Sequence, residues 1–137
     1  LLTILKLAEQ RDNISVVADQ VGSPTWARLI AATTTHCLAQ AQTQRQSSQF
    51  NSGLFHLTSA GTTTWHGFAQ AIVEVASERL EKKLKVGAIA PIPTAEYPTP
   101  AKRPMNSELA TSRLEGSFGV VMPDWKQCLG LCIEELR

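Results

Sequence analysis

Apolar positions along this chain change repeatedly from helical to strand spacing, which predicts a mixed α/β order of elements. Leu1, Ile4, Leu5 and Ala8 share one helical face, and Arg11-Asp12-Asn13 supplies a polar stop. Ile14-Ser15-Val16-Val17 is short and rich in β-branched residues, as a strand requires. Asp19 to Pro24 breaks the pattern. Thr25 is then placed to cap a helix whose stripe is Trp26, Leu29, Ile30, Thr33, Cys37 and Ala41, fraying by Gln44.

Gln and Ser dominate from Gln40 to Ser52, and 42–52 is expected to be a flexible loop. Leu54-Phe55-His56-Leu57 shows little alternation, so a buried strand is predicted. A turn around Gly61 follows, and Thr64 is placed as the cap of a helix with Trp65, Phe68, Ala69, Ile72, Val73, Ala76 and Leu80 on one face. That helix ends in the charged run Glu81-Lys82-Lys83, and a third extended run spans Lys85 to Ile92. Further on, Ser112 and Glu115 have capping-box spacing, Gly119 is a C-terminal stop, and Asp124 caps a last helix with Trp125, Cys128, Leu129, Cys132, Ile133 and Leu136 in register. The pattern totals about five helices and three short strands.

Between the third strand and the fourth helix stands Ile92 to Ser107, where Pro93, Pro98, Pro100 and Pro104 forbid an ordinary helix or central strand. A stiff irregular segment bearing Tyr97, Lys102, Arg103 and Asn106 suits either a ligand-holding loop or a proline-rich connector. Composition alone does not choose between them.

Bulk composition removes several classes of function. The 137 residues are 43% hydrophobic and 18% charged with a net charge of +1, an ordinary globular domain with no basic footprint for nucleic acid. No apolar run reaches the roughly 20 residues that span a bilayer, and Leu1 to Leu7 is too short and lacks a cleavage site. A cytoplasmic protein without membrane partners is therefore expected. Three cysteines argue against a disulfide framework. The start on Leu-Leu within a helical pattern suggests a fragment of a longer protein.

His36, His56 and His66 have no ligand spacing, and Cys128 and Cys132 fall on an apolar helix face, where core packing is favoured over a metal pair. Trp26, Trp65 and Trp125 occupy first turns of helices on apolar stripes, positions that favour packing. Asp19-Gln20 before Gly22-Ser23-Pro24-Thr25 makes a turn feeding a helix N-terminus, where anions are favoured. It suits a cleft wall, or a turn merely tied by its own side chains.

Y-P-T-P-A-K-R-P-M-N-S at Tyr97 to Ser107, D-Q-V-G-S-P-T-W-A-R at Asp19 to Arg28 and P-D-W-K-Q at Pro123 to Gln127 together resemble the C-terminal, substrate-binding part of the dTDP-4-dehydrorhamnose reductases. These belong to the extended short-chain dehydrogenase/reductase superfamily, with an NAD(P)-binding Rossmann fold, and the likeness runs through residues 1–137. The resemblance implies reduction of a dTDP-4-keto sugar to dTDP-L-rhamnose with NADPH or NADH, Mg²⁺ in some members, and a homodimer as one arrangement. It also implies Arg103 on the pyrophosphate with Lys102 as auxiliary charge, Asn106 on the sugar or on its own loop, Tyr97 stacked on the base or packed on a helix, and Asp19, Gln20 and Thr25 in the cleft wall.

Such reductases use a glycine-rich turn for the dinucleotide and a Tyr-x-x-x-Lys pair for proton delivery. This sequence has neither: Tyr97 is the only tyrosine, and Ala101 stands four residues later. The resemblance thus implies a substrate-side half, inactive alone, whose apolar surface promotes association once the dinucleotide half is absent. Two other readings share the fold: a non-catalytic relative like the regulatory β subunit of methionine adenosyltransferase, and a reductase or epimerase for another nucleotide sugar.

Overall fold

A parallel ladder joins the first and last strands of the chain and positions everything between them. The computed structural model describes residues 1–50, 52–80, 83–97 and 99–136. Asn51, Glu81, Lys82, Pro98 and Arg137 lie outside the described residues, so parts of the expected loop, charged run and proline segment do too.

Helix α1 (Leu2–Gln10) leads into β1 (Asn13–Val17), which pairs in parallel with β4 (Ala88–Ile92) in the register Asn13 to Ala88 through Val17 to Ile92. A second small sheet pairs β2 (Val21–Gly22) antiparallel to β3 (Thr63–Thr64). Val21 also bridges Asn106 in parallel, so β2 lies between β3 and the end of the proline segment.

Helix α3 (Trp65–Arg79) packs on α1, on the β1 and β4 ladder, and on α5 (Trp125–Glu134). Its side chain Ile72 and α5's Ile133 are fully enclosed, and Leu5, Ala76, Leu80, Trp125 and Leu129 complete this core. Phe68 meets Trp125 edge-on at 5.9 Å. Thr64 caps α3 as expected, accepting from Gly67 N at 3.0 Å, and Asp124 caps α5 through Lys126 N at 2.8 Å. The ion pairs Arg79 to Glu134 and Lys85 to Asp12 hold α5 to α3 and the approach to β4 to the start of β1.

A second core gathers Leu114, Phe118 and Met122 around α4 (Ser112–Phe118), with Leu29, Cys37 and Ala41 of α2 (Ala27–Gln46) against it. Three expectations change here. First, α2 runs to Gln46, well into the stretch expected to be a flexible loop, because i to i+4 backbone bonds continue as long as the Gln-rich sequence holds no Gly or Pro. Second, Leu54-Phe55-His56-Leu57 forms no strand ladder among the described residues; Phe55 and Leu57 turn onto the second core while Leu54 is 73% exposed. Phe55 meets the ring of Phe118 at 5.1 Å, which fixes the run by side-chain packing.

Third, capping departs from the spacing at two helices. Trp26, in extended backbone, precedes α2 with no side-chain cap, while the Thr25 hydroxyl donates to Ser23 O at 2.9 Å and accepts from Ser59 N at 3.1 Å. Thr111 precedes α4, and its hydroxyl reaches Glu115 Oε1 at 2.8 Å, one residue earlier than the expected Ser112 box. Gly119 ends α4 in the left-handed region at φ 62°, as placed.

Candidate functional site

The β1 to β2 turn, the start of α2, the first turn of α3 and the end of the proline segment converge on one open cleft of about 500 Å³. Its polar wall carries Gln20, Ser23, Thr25 and Arg103, and its floor is Phe68, Trp125 and Leu129. The local sequence explains the convergence. Extended β1 delivers the chain to Val21, Pro24 turns it, and α2 starts at Ala27 with its first amides facing no side-chain cap. Uncapped amides of a long helix carry partial positive charge.

Of the residues nominated from sequence, Gln20, Thr25 and Arg103 line this cleft. Asp19, Tyr97, Lys102 and Asn106 are not among its lining residues. Thr25 ties Ser23 to Ser59 as described, and it holds the wall by these bonds. Arg103 and Lys102 are exposed, and no ion pair or hydrogen bond to a described residue engages either side chain. Asn106 Oδ1 accepts from Glu108 N at 2.8 Å and so shapes its own turn.

Asp19 faces Thr94 instead. Both carboxylate oxygens accept from Thr94 N, at 3.0 and 2.9 Å, and Oδ1 also accepts from the Thr94 hydroxyl at 2.5 Å. Those side-chain and backbone hydrogen bonds favour the charged form and hold the carboxyl below its ordinary value of 3.8, against a smaller opposing effect of burial. Gln20, 8% exposed, donates from Nε2 to the same hydroxyl at 3.0 Å.

Sequence reasoning assigned the tryptophans to packing, and the structure separates them. Trp125 is 5% exposed and belongs to the core, whereas Trp65 is 53% exposed and lines the cleft with half-buried Trp26. Arg28 lies over the Trp26 ring at 5.5 Å while pairing with Glu135. Local sequence carries no signal that separates them, because Trp65 directly follows its capping Thr64 just as Trp125 directly follows its capping Asp124.

Cys128 is buried and Cys132 half-buried beside the cleft floor. Burial pushes the Cys132 thiol up, helped by the charge of Glu135, and burial alone raises that of Cys37. Among the described residues no three His, Cys, Asp or Glu side chains gather into a metal site, and no helix is long and apolar enough to cross a membrane.

A family model described as the RmlD substrate binding domain matches residues 1–137. The chain belongs to the RmlD substrate-binding domain family. Within it, the dTDP-4-dehydrorhamnose reductase of Burkholderia thailandensis is 50% identical over 139 residues, covering 99% of this chain and 46% of that protein. That of Shigella flexneri is 39% identical, covering 98% of this chain and 43% of its own length. The crystal structure of dTDP-4-dehydrorhamnose reductase from Bacillus anthracis in complex with NADP matches 98% of the chain with a TM-score of 0.75 at 28% identity, over 42% of its length. The RmlD domain described here thus spans less than half of each of these relatives.

Proposed function

We propose that this chain is the sugar-nucleotide side of a dTDP-4-dehydrorhamnose reductase, a cytoplasmic enzyme that reduces dTDP-4-dehydro-β-L-rhamnose to dTDP-L-rhamnose with NADPH or NADH. The observation that carries the reading is one cleft combining a guanidinium with no partner among the described residues, Arg103, the uncapped start of α2, and the indoles of exposed Trp65 and half-buried Trp26. Diphosphate oxygens are matched by a planar cationic fork and by free helix amides, and a thymine ring by an indole face.

The dinucleotide does not fit the residues present. This sequence holds no glycine-rich turn after a strand and no Tyr-x-x-x-Lys pair, so hydride and proton delivery belong to residues outside it. No described cluster suits Mg²⁺, and the reading uses none.

Titration calorimetry with dTDP, UDP and GDP tests the reading. Binding of dTDP in preference to the other two, with no turnover of the keto sugar by this chain alone, is expected. Absence of dTDP binding together with a co-purifying partner enzyme would move the chain to the regulatory class, and preference for UDP or GDP to a sibling reductase.

A further inference from the structure

We propose that Asp19 is a positioning residue that sets where Arg103 stands over the cleft, through a clamp on both ends of the proline segment; this rests on the reading of Arg103 as the diphosphate contact. The clamp is built from four consecutive residues. At the near end, Ala18 N donates to Ile92 O at 2.9 Å, Asp19 accepts three hydrogen bonds from Thr94, and Gln20 donates to the Thr94 hydroxyl. At the far end, Val21 N donates to Met105 O at 2.8 Å, and Ser107 N and Oγ donate to Val21 O at 2.9 and 3.1 Å.

Between these fastenings the described segment residues 95–97 and 99–106 are exposed, and the side chains of Lys102 and Arg103 have no hydrogen bond or ion pair to a described residue. Among the described residues the crown is tied by Thr99 Oγ1 donating to Ala101 O at 2.8 Å, a bond internal to it. The place of Arg103 is therefore inherited from the ends. Proline limits how far the crown can relax between them, because each ring fixes φ.

The chemistry of the near end specifies a carboxylate. Gln20 can only donate from Nε2, so the Thr94 hydroxyl accepts from it and turns its own hydrogen to Asp19. The Thr94 amide is a further donor aimed at the same group. Only an acceptor on both oxygens satisfies this set, and an asparagine would oppose one donor with another. The far end requires close approach: a Cβ on Gly22 would sit 2.7 Å from Ser107 Oγ and turn that hydroxyl off Val21 O.

The test measures dTDP affinity by calorimetry in the wild-type chain, Asp19→Ala, Arg103→Ala and the double variant, beside thermal melting of each. Asp19→Ala is expected to weaken dTDP about tenfold in the wild-type background and to add nothing in the Arg103→Ala background. Its melting shift should be equal in both backgrounds. Thr94→Val, which keeps the carboxylate and removes the hydroxyl that donates to Asp19 and accepts from Gln20, is expected to repeat the affinity loss in smaller measure and serves if Asp19→Ala does not fold. Without ligand, tryptic cleavage after Lys102 should quicken in Asp19→Ala well below its melting temperature.

If Arg103→Ala weakens dTDP but Asp19→Ala and Thr94→Val do not, or if the losses simply add, the positioning role is overturned and the diphosphate reading stands. If Arg103→Ala leaves dTDP affinity unchanged, both fall. Unchanged cleavage after Lys102 overturns the clamp on its own.

Discussion

Gly61 and Asp124 approach so closely that a Cβ on the glycine would lie 2.6 Å from Asp124 Oδ2. The same residue has φ 76°, and its carbonyl accepts the Ser23 hydroxyl at 2.8 Å. Its neighbour Ala60 exchanges backbone bonds with Pro123 and Trp125 at 2.9 and 3.0 Å. One small turn therefore joins the cleft wall to the cap of α5. Gly61→Ala combines a disfavoured backbone with a collision at a cap, and a loss of about 1–3 kcal/mol in urea unfolding is expected. Asp124→Ala should cost about 1 kcal/mol by loss of the Lys126 amide, and the two losses should not add.

Ile72 and Ile133 have no exposed surface and belong to one core, so Ile133→Ala should cost about 2–5 kcal/mol. Leu131→Ala, on the 52% exposed side of the same helix, should change the midpoint little. Denaturation followed by tryptophan fluorescence separates the two, because Trp125 reports on that core.

Trp65 is more than half exposed at the mouth of α3, and removing it should leave the fold intact while stripping the cleft of a stacking face. Trp65→Ala is expected to lose about 1–3 kcal/mol of dTDP binding with a melting temperature within a few degrees of wild type. Equal dTDP affinity in the two proteins would remove Trp65 from the site.

Acid should loosen the clamp described above, with a definite sign. The Asp19 carboxyl is lowered in the folded chain, so its contribution is complete above the ordinary aspartate value of 3.8 and is lost as pH falls through the lower folded value. The melting difference between wild type and Asp19→Asn should be constant from neutral pH to about 5 and shrink below about 4. A difference that grew on acidification would contradict the assigned hydrogen bonds.

Raised thiols resist alkylation. Cys37 and Cys132 are both held protonated by burial, and at pH 8 their reaction with iodoacetamide should be slower than that of a free thiol of ordinary pKa. Mass spectrometry of a timed digest reads the rates site by site.

Helix caps with a bonded side chain, Thr64 and Asp124, were legible because the residue type, the following aromatic and the apolar stripe all agree at those points. Thr25 misled because its hydroxyl has better partners in Ser23 and Ser59, and Ser59 is 34 residues away and invisible to local spacing. The length of α2 was missed for the opposite reason. Polar Gln and Thr residues that bury nothing can still continue a helix, and none of its residues is buried. Of the three nominated residues that share the cleft, Gln20 and Thr25 are near neighbours in sequence but Arg103 lies far along the chain, and the bridge between Val21 and Asn106 brings it beside them. The distinction between Trp65 and Trp125 depends on which first turn points at the core, a tertiary fact.

The ladder between β1 and β4 also sets a timetable for synthesis. Asn13 to Val17 leaves the ribosome well before its partner strand, which ends at Ile92, and α5, which closes the core over α3, is made later still. Contacts so far apart in sequence are slow to form, since the intervening chain must be gathered first. The nascent polypeptide therefore carries apolar Ile14 and Val17 without their β4 partner until Ile92 has been made, and its survival in the cell depends on what shields those side chains during that interval.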